Sequence, residues 1–287
     1  MTSEGIGRNN RLLDFWGSVG ITKHVGGIAA TKQLAGLCGI GPSQLVLDIG
    51  CGTGYTACFL AKEYDVKVIA IDINPKILRH AKKRIERENV SDKVITINAD
   101  ANNLPFPDNM FDAAISESVL TFCDKKRAPS EIYRVLKPDG YFGGNEGVYL
   151  KPPPHRISHR MDTEFSIQML DEMEWHEVFE SAGFAYQFSR VFDKNLIEDI
   201  GGLLKIYGVG KFCSAFMKTI LNPSARKMFS DRDALKIGMM NSTSLGYGLY
   251  VYRKLNSSGL FSRPAAPMAV LEAKPLFRTK TGQRKAL

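Results

Sequence analysis

Between residues 44 and 146 the hydrophobic positions fall into short, nearly continuous runs separated by longer amphipathic stretches. QLVLDI (44–49), VKVIAIDI (66–73), KVITINA (93–99), FDAAIS (111–116) and YFGGNE (141–146) have the length of strands. Strands this apolar are buried on both faces, which predicts a parallel sheet sandwiched between helices. The intervening segments carry helical spacing. Asn74 and Pro75 read as the cap and first residue of PKILRHAKKRIEREN. An Asn side chain accepts an orphan N–H there, and proline lacks an N–H that would go unused. EIYRVLK is predicted as a helix closed by the turn Pro138-Asp139-Gly140.

The order loosens on either side. Leu34, Leu37 and Ile40 mark a helical cap over residues 1–44. After Glu146, KPPPHRISH reads as loop and MLDEMEWHEVFESAGF as an amphipathic helix ending at Gly183, with His176 on its surface. AYQFSRVF and LGYGLYVYRKL (245–255) read as two more strands. Residues 193–243 between them are predicted helical, split near Gly208 and Gly210 because glycine weakens a helix interior. The chain thus divides into a cap (1–44), an α/β domain (45–255) with seven strands, helices on both faces and a helical insertion before the last strand, and a tail (256–287). Pro264, Pro267 and Pro275 predict a tail poorly ordered or draped on the surface.

Charge and cysteine content narrow the function classes. The net charge is +8, but Arg263, Lys274, Arg278, Lys280, Arg284 and Lys285 against Glu272 place +5 of it in the tail. The remaining body is close enough to neutral that no specific nucleic-acid partner is expected. The first residues lack a signal-like apolar core, and no run reaches the roughly 20 apolar residues of a membrane span. Cys38, Cys51, Cys58, Cys123 and Cys213 form no CxxC pair and no zinc-ligand cluster. Reduced cysteines, a cytoplasmic location and no metal site are expected.

The chemistry concentrates at Asp48-Ile49-Gly50-Cys51-Gly52-Thr53-Gly54, between the first strand and the next helix. A backbone turning sharply against a ligand favours glycine, and the helix start that follows favours negative charge. Dinucleotide-binding loops read G-x-G-x-x-G. Here the sixth position is Tyr55 and the third glycine falls fifth, at Gly54. The acidic residue followed by G-x-G-x-G resembles motif I of the class I methyltransferases. Asp72 ends the second strand. Asp100 ends the third and opens D-A-x-x-L-P-F-P-D-x-x-F-D, residues 100–112, followed by Glu131-Ile-Tyr-Arg-Val-Leu-Lys-Pro-Asp-Gly140. From Leu45 to Glu146 the chain resembles the methyltransferase family that includes the ubiquinone and menaquinone enzymes. His24-Val25-Gly26-Gly27-Ile28-Ala29-Ala30-Thr31 resembles the S/H-x-G-G-x-x-x-T stretch of small-molecule methyltransferases such as the phosphoethanolamine enzymes; a glycine turn before a helix accounts for it equally well.

The resemblance implies a Rossmann-like class I fold and S-adenosylmethionine as cofactor. Asp48 and the backbone of Gly50, Cys51, Gly52 and Gly54 would hold its methionine end, with Gly26 closing the site. Asp72 would take the ribose diol, Ile73 an adenine face, and Asp100 with Ala101 the adenine edge. Ser116 and Glu117 would lie near the reacting methyl. Transfer by in-line displacement needs alignment and exclusion of water, and a base only if the acceptor holds its proton tightly. No catalytic residue is assigned; Glu117, His24, Tyr149, His155 and His159 are candidates, the last two sharing a face only if their segment is helical. The expected acceptor is a small, apolar-tolerant molecule facing the 193–243 insertion, although Leu203, Leu204, Ile206, Tyr207, Phe212, Phe216 and Met217 there are residues that more often serve a core or an oligomer contact. Membrane contact and a homo-oligomer stay open. Two other readings stand beside this one. An RNA enzyme steered by the tail lacks an N-P-P-Y run where the chain reads Ser116-Glu117-Ser118-Val119. A non-catalytic binding module does not explain an intact loop with its carboxylates.

Overall fold

In a computed structural model the described residues are 24–165, 167–193 and 244–256, with short helical pieces at 204, 208–210, 213–214, 217 and 221. The expectations for residues 1–23, for most of the insertion and for the tail after 256 lie outside the described residues. Within the insertion, Gly208 and Gly210 both fall in the helical piece 208–210, Gly208 with a positive φ of 77°.

Seven strands form one sheet: β1 (Leu45–Ile49), β2 (Lys67–Asp72), β3 (Val94–Asn98), β4 (Phe111–Glu117), β5 (Leu136–Tyr149), β6 (Ala185–Asp193) and β7 (Leu245–Arg253), in the order β3-β2-β1-β4-β5-β7-β6. β1 to β5 pair in parallel, and β7 runs antiparallel to both neighbours. The described helices are α1 (Gly27–Leu37), α2 (Tyr55–Glu63), α3 (Pro75–Arg87), α4 (Arg127–Val135), α5 (His155–Phe165) and α6 (Glu172–Ser181). Asn74 caps α3 by accepting from the Lys76 N–H at 2.9 Å, with Pro75 in the first turn. Asp171 and Glu174 form a reciprocal capping box on α6.

Alternate residues of each strand face opposite sides of the sheet. Val46, Val68, Ala113, Ile115, Leu249 and Val251 pack on one side with Leu34 of α1 and Leu60 of α2. Leu47, Ile49, Ala114, Phe142, Tyr250 and Tyr252 pack on the other with Ile132 of α4 and Trp175 and Phe179 of α6. The second half of the long motif is a clasp. Arg134 donates to the carbonyls of Leu104 (3.0 Å) and Phe106 (2.8 Å) and pairs with Asp108 at 2.8 Å. Glu131 accepts from the Leu104 N–H at 2.8 Å, so α4 holds the loop after β3 by its backbone.

Three expectations change. Residues 155–165 form helix α5 rather than loop; the prolines lie ahead of it, at 152–154, where they remove no bond within it. His176 is half-buried rather than freely exposed: it is hydrogen-bonded to the Tyr252 hydroxyl and its ring packs against Tyr250 at 5.7 Å. β3 ends at Asn98, so Asp100 lies past the strand in a tight turn.

The pairing also fixes where the peripheral segments leave the sheet. Tyr149 at the end of β5 pairs with Leu245 at the start of β7, and Asp193 at the end of β6 pairs with Gly246. The 193–243 insertion therefore departs and returns at the edge where the parallel strands end. His24 and Leu150 join that same edge through Asn145 and Tyr149.

Candidate functional site

The glycine loop lies at this edge, between β1 and α2. Gly50, Gly52 and Gly54 all have positive φ (67°, 53° and 74°), a region costly for side-chain-bearing residues. At Gly50 the missing side chain makes room for protein: a Cβ would collide with the Val119 isopropyl group. The Asp72 carboxylate braces the loop, accepting from the Gly52 N–H at 3.0 Å and the Asn74 N–H at 2.8 Å. Arg84, buried on α3, donates from Nε to the Thr53 carbonyl at 2.9 Å. Cys51 is buried, and burial pushes its thiol well up, which fits a filler rather than a nucleophile.

Asp48 lies beneath the loop. Its side chain is buried and its Oδ2 has no hydrogen-bond partner. Burial, then the charges of Glu117 and Asp72, push its carboxyl well above the ordinary range. Asp72 is raised too, chiefly by burial, against its two backbone bonds. Beyond β3, Asp100 Oδ1 accepts from both the backbone and side-chain N–H of Asn102 at 2.9 Å, with Ala101 buried beside it. Ile73 stands 41 % exposed after β2.

Glu117 gathers the polar groups of one face. It accepts from the Thr56 hydroxyl at 2.8 Å and the Thr31 hydroxyl at 3.0 Å, and His24 Nδ1 lies 3.3 Å away. Thr31 Oγ1 is also 3.3 Å from His24 Nε2. His24 and Thr31, the two ends of the H-x-G-G-x-x-x-T stretch, thus meet on one carboxylate. Gly26 between them is left-handed, and a Cβ there would press on the Tyr247 ring at 2.7 Å. Asn145 adds a donor, from Nδ2 to the Val25 carbonyl at 2.7 Å.

The other candidates lie elsewhere. Ser116, paired in register with Ile49, faces the opposite side of the sheet from Glu117 and is fully buried, with its hydroxyl donating to Glu146 at 3.4 Å. His155 and His159 do share a face of α5, exposed, with rings stacked at 6.0 Å; neither joins the Glu117 cluster. Tyr149 is half-buried, which raises its hydroxyl, and lines a shallow recess with Val148, Met173 and Val191 that includes no residue of the glycine loop. Sequence reasoning missed Thr56, Asn145 and Glu146. A glutamate inside the apolar run YFGGNE was a signal, since a charge in a central strand needs partners.

Comparison with known proteins places this geometry. A methyltransferase domain model matches residues 47–143. An uncharacterized methyltransferase, YodH, of Bacillus subtilis is 36 % identical over 181 residues, which cover 62 % of this chain and 75 % of that protein. The chain belongs to the class I S-adenosylmethionine-dependent methyltransferases. The demethylmenaquinone methyltransferase of Lactiplantibacillus plantarum is 37 % identical over 110 residues, 37 % of this chain and 46 % of that one. The fold matches the crystal structure of the [4+2]-cyclase SpnF with a TM-score of 0.67 at 21 % identity, covering 85 % of this chain and 92 % of that chain. This methyltransferase is an enzyme whose cofactor is S-adenosylmethionine, and its residues fit that group. The left-handed glycine loop leads into a helix start, and the unpaired Asp48 Oδ2 is an acceptor waiting below it. Among the described residues no cluster could hold a metal ion, and no helix is long and apolar enough to cross a membrane.

Proposed function

We propose that the enzyme methylates a small, apolar molecule enclosed at the C-terminal edge of the sheet. Bound S-adenosylmethionine would supply an electrophilic methyl on a sulfonium, transferable to an in-line acceptor with S-adenosylhomocysteine as the leaving group. In this reading Asp48 and the backbone of residues 50–54 hold the methionine end. Asp72 accepts from the ribose hydroxyls with the lone pairs its two backbone bonds leave over. The exposed Ile73 offers an apolar face to adenine, and Asp100 with Ala101 its edge. In this reading Glu117, which accepts from Thr31 and Thr56 beside His24, orders the site rather than taking a proton from the acceptor. His24, with both ring nitrogens engaged, does the same. Residues 1–44 cap the domain 45–255, and the tail is dispensable for chemistry.

One observation carries the small-acceptor reading. His24, Leu150, Asp193 and Ser244, the described residues next to the chain's first segment and to the insertion, all lie at the edge that bears the glycine loop. So many chain connections at that edge favour an enclosed pocket, which admits a small molecule, excludes a folded RNA and keeps water from the sulfonium. The demethylmenaquinone relative is named for a small acceptor. Incubation with methyl-labelled S-adenosylmethionine and a cell extract tests this. Label is expected in the organic-soluble small molecules. Label in RNA or protein instead would overturn the reading.

A further inference from the structure

The residues after β4 make one 3-10 turn, Leu120–Phe122. A single turn leaves its leading N–H groups and trailing carbonyls without partners of its own. Two charged side chains take them. Glu146, fully buried on β5, accepts through Oε1 from the N–H of Val119 (3.1 Å) and Leu120 (2.9 Å). Its Oε2 accepts from the Thr121 N–H (3.2 Å) and hydroxyl (2.9 Å). Lys125 Nζ donates to the carbonyls of Leu120 (2.9 Å), Thr121 (3.3 Å) and Cys123 (3.0 Å), and lies over the buried Trp175 ring at 5.6 Å. Burial raises the Glu146 carboxyl and lowers the Lys125 ammonium, so both charges are held at a cost.

Burying charges is a poor route to stability, but a saturated set of hydrogen bonds fixes one backbone geometry. What this turn carries is Val119, whose isopropyl group fills the space a side chain on Gly50 would need. On its other flank Ser118 is left-handed (φ 62°) and accepts from the Val25 N–H at 3.4 Å. The turn therefore abuts the glycine loop on one side and the residues before α1 on the other.

We propose that Glu146 and Lys125 are positioning residues for cofactor binding: they lock the 118–123 turn so that Val119 seats on Gly50 and sets the glycine loop. This rests on the cofactor site proposed above, and both residues act through Val119. Calorimetric titration of S-adenosylhomocysteine, the demethylated product, tests it. Glu146→Gln mispairs a donor with the Thr121 N–H, and affinity is expected to fall about tenfold. Val119→Ala leaves the clamp whole yet should also weaken binding, while Val119→Thr, of the same branched shape, should stay within about twofold of wild type. Lys254→Met is the control. Lys254 donates to the carbonyls of Tyr133, Arg134 and Leu136, remote from the turn, so its loss should lower the melting temperature but not the affinity. Wild-type affinity in both Glu146→Gln and Val119→Ala would overturn the inference, and Val119→Ala decides alone if Glu146→Gln does not fold. Failure of the wild-type protein to bind would instead overturn the cofactor site itself.

Discussion

Glu117 ends β4 and Glu146 lies within the neighbouring β5, on opposite faces of the sheet, each buried among hydrogen-bond donors, yet they hold different things. Glu117 collects side chains: hydroxyls from α1 and α2, and the His24 ring. Glu146 collects chiefly the backbone N–H groups of one turn. The first joins separate elements and gains from their packing. The second shapes a single loop. Removing Glu117 should therefore loosen the body of the protein, whereas a mild change at Glu146 should register first in cofactor affinity.

The largest effect expected on this comparison is from Glu117→Leu. It strands the buried Thr31 and Thr56 hydroxyls, and denaturant unfolding should show a loss of about 2–3 kcal/mol. If stability were unchanged, Glu117 would not be the hub described. Thr56→Val removes one donor from the same carboxylate and should cost about 1 kcal/mol in the same experiment. Asp48→Asn should act in the opposite direction on the cofactor-free protein. The Asp48 carboxyl is raised on folding, so between its ordinary pKa of 3.8 and its higher folded value the native state holds more protons than the unfolded chain. Its contribution to stability is thus present at low pH and lost as pH rises through that window. Melting curves across pH should show Asp48→Asn gaining on wild type as pH increases, while its affinity for S-adenosylhomocysteine falls. A constant difference at every pH would contradict the raised carboxyl. The smallest effect is at the exposed His155: His155→Ala should leave turnover within about twofold, since exposed side chains away from the site contribute little.

The strands and the glycine loop were legible because they follow local rules. Alternating runs, Asn74-Pro75 and the spacing of Gly50, Gly52 and Gly54 are all read within a few residues of each other. The Glu117 cluster was half legible. Its His24 and Thr31 were visible as a pattern, but their meeting on a carboxylate 86 residues further along the chain needs the α1–β4 contact. Glu146 and Lys125 were not legible as a pair, because their link is the backbone of a turn that neither belongs to. α5 was not legible because three prolines stand directly ahead of it, and sequence alone does not show that they precede the helix rather than interrupt it. The partial burial of His176 was not legible because amphipathicity cannot show that Tyr250 and Tyr252, from the last strand, pack against its ring.

The most direct test of the cofactor assignment is calorimetric titration of S-adenosylhomocysteine into wild type and Asp72→Ala. Wild type is expected to bind, and NADH in its place is not. Asp72→Ala should fold and bind more weakly by about 1–3 kcal/mol, because buried ribose hydroxyls lose their acceptor. Equal affinity in a folded Asp72→Ala variant, or binding of NADH by the wild-type protein, would contradict the account.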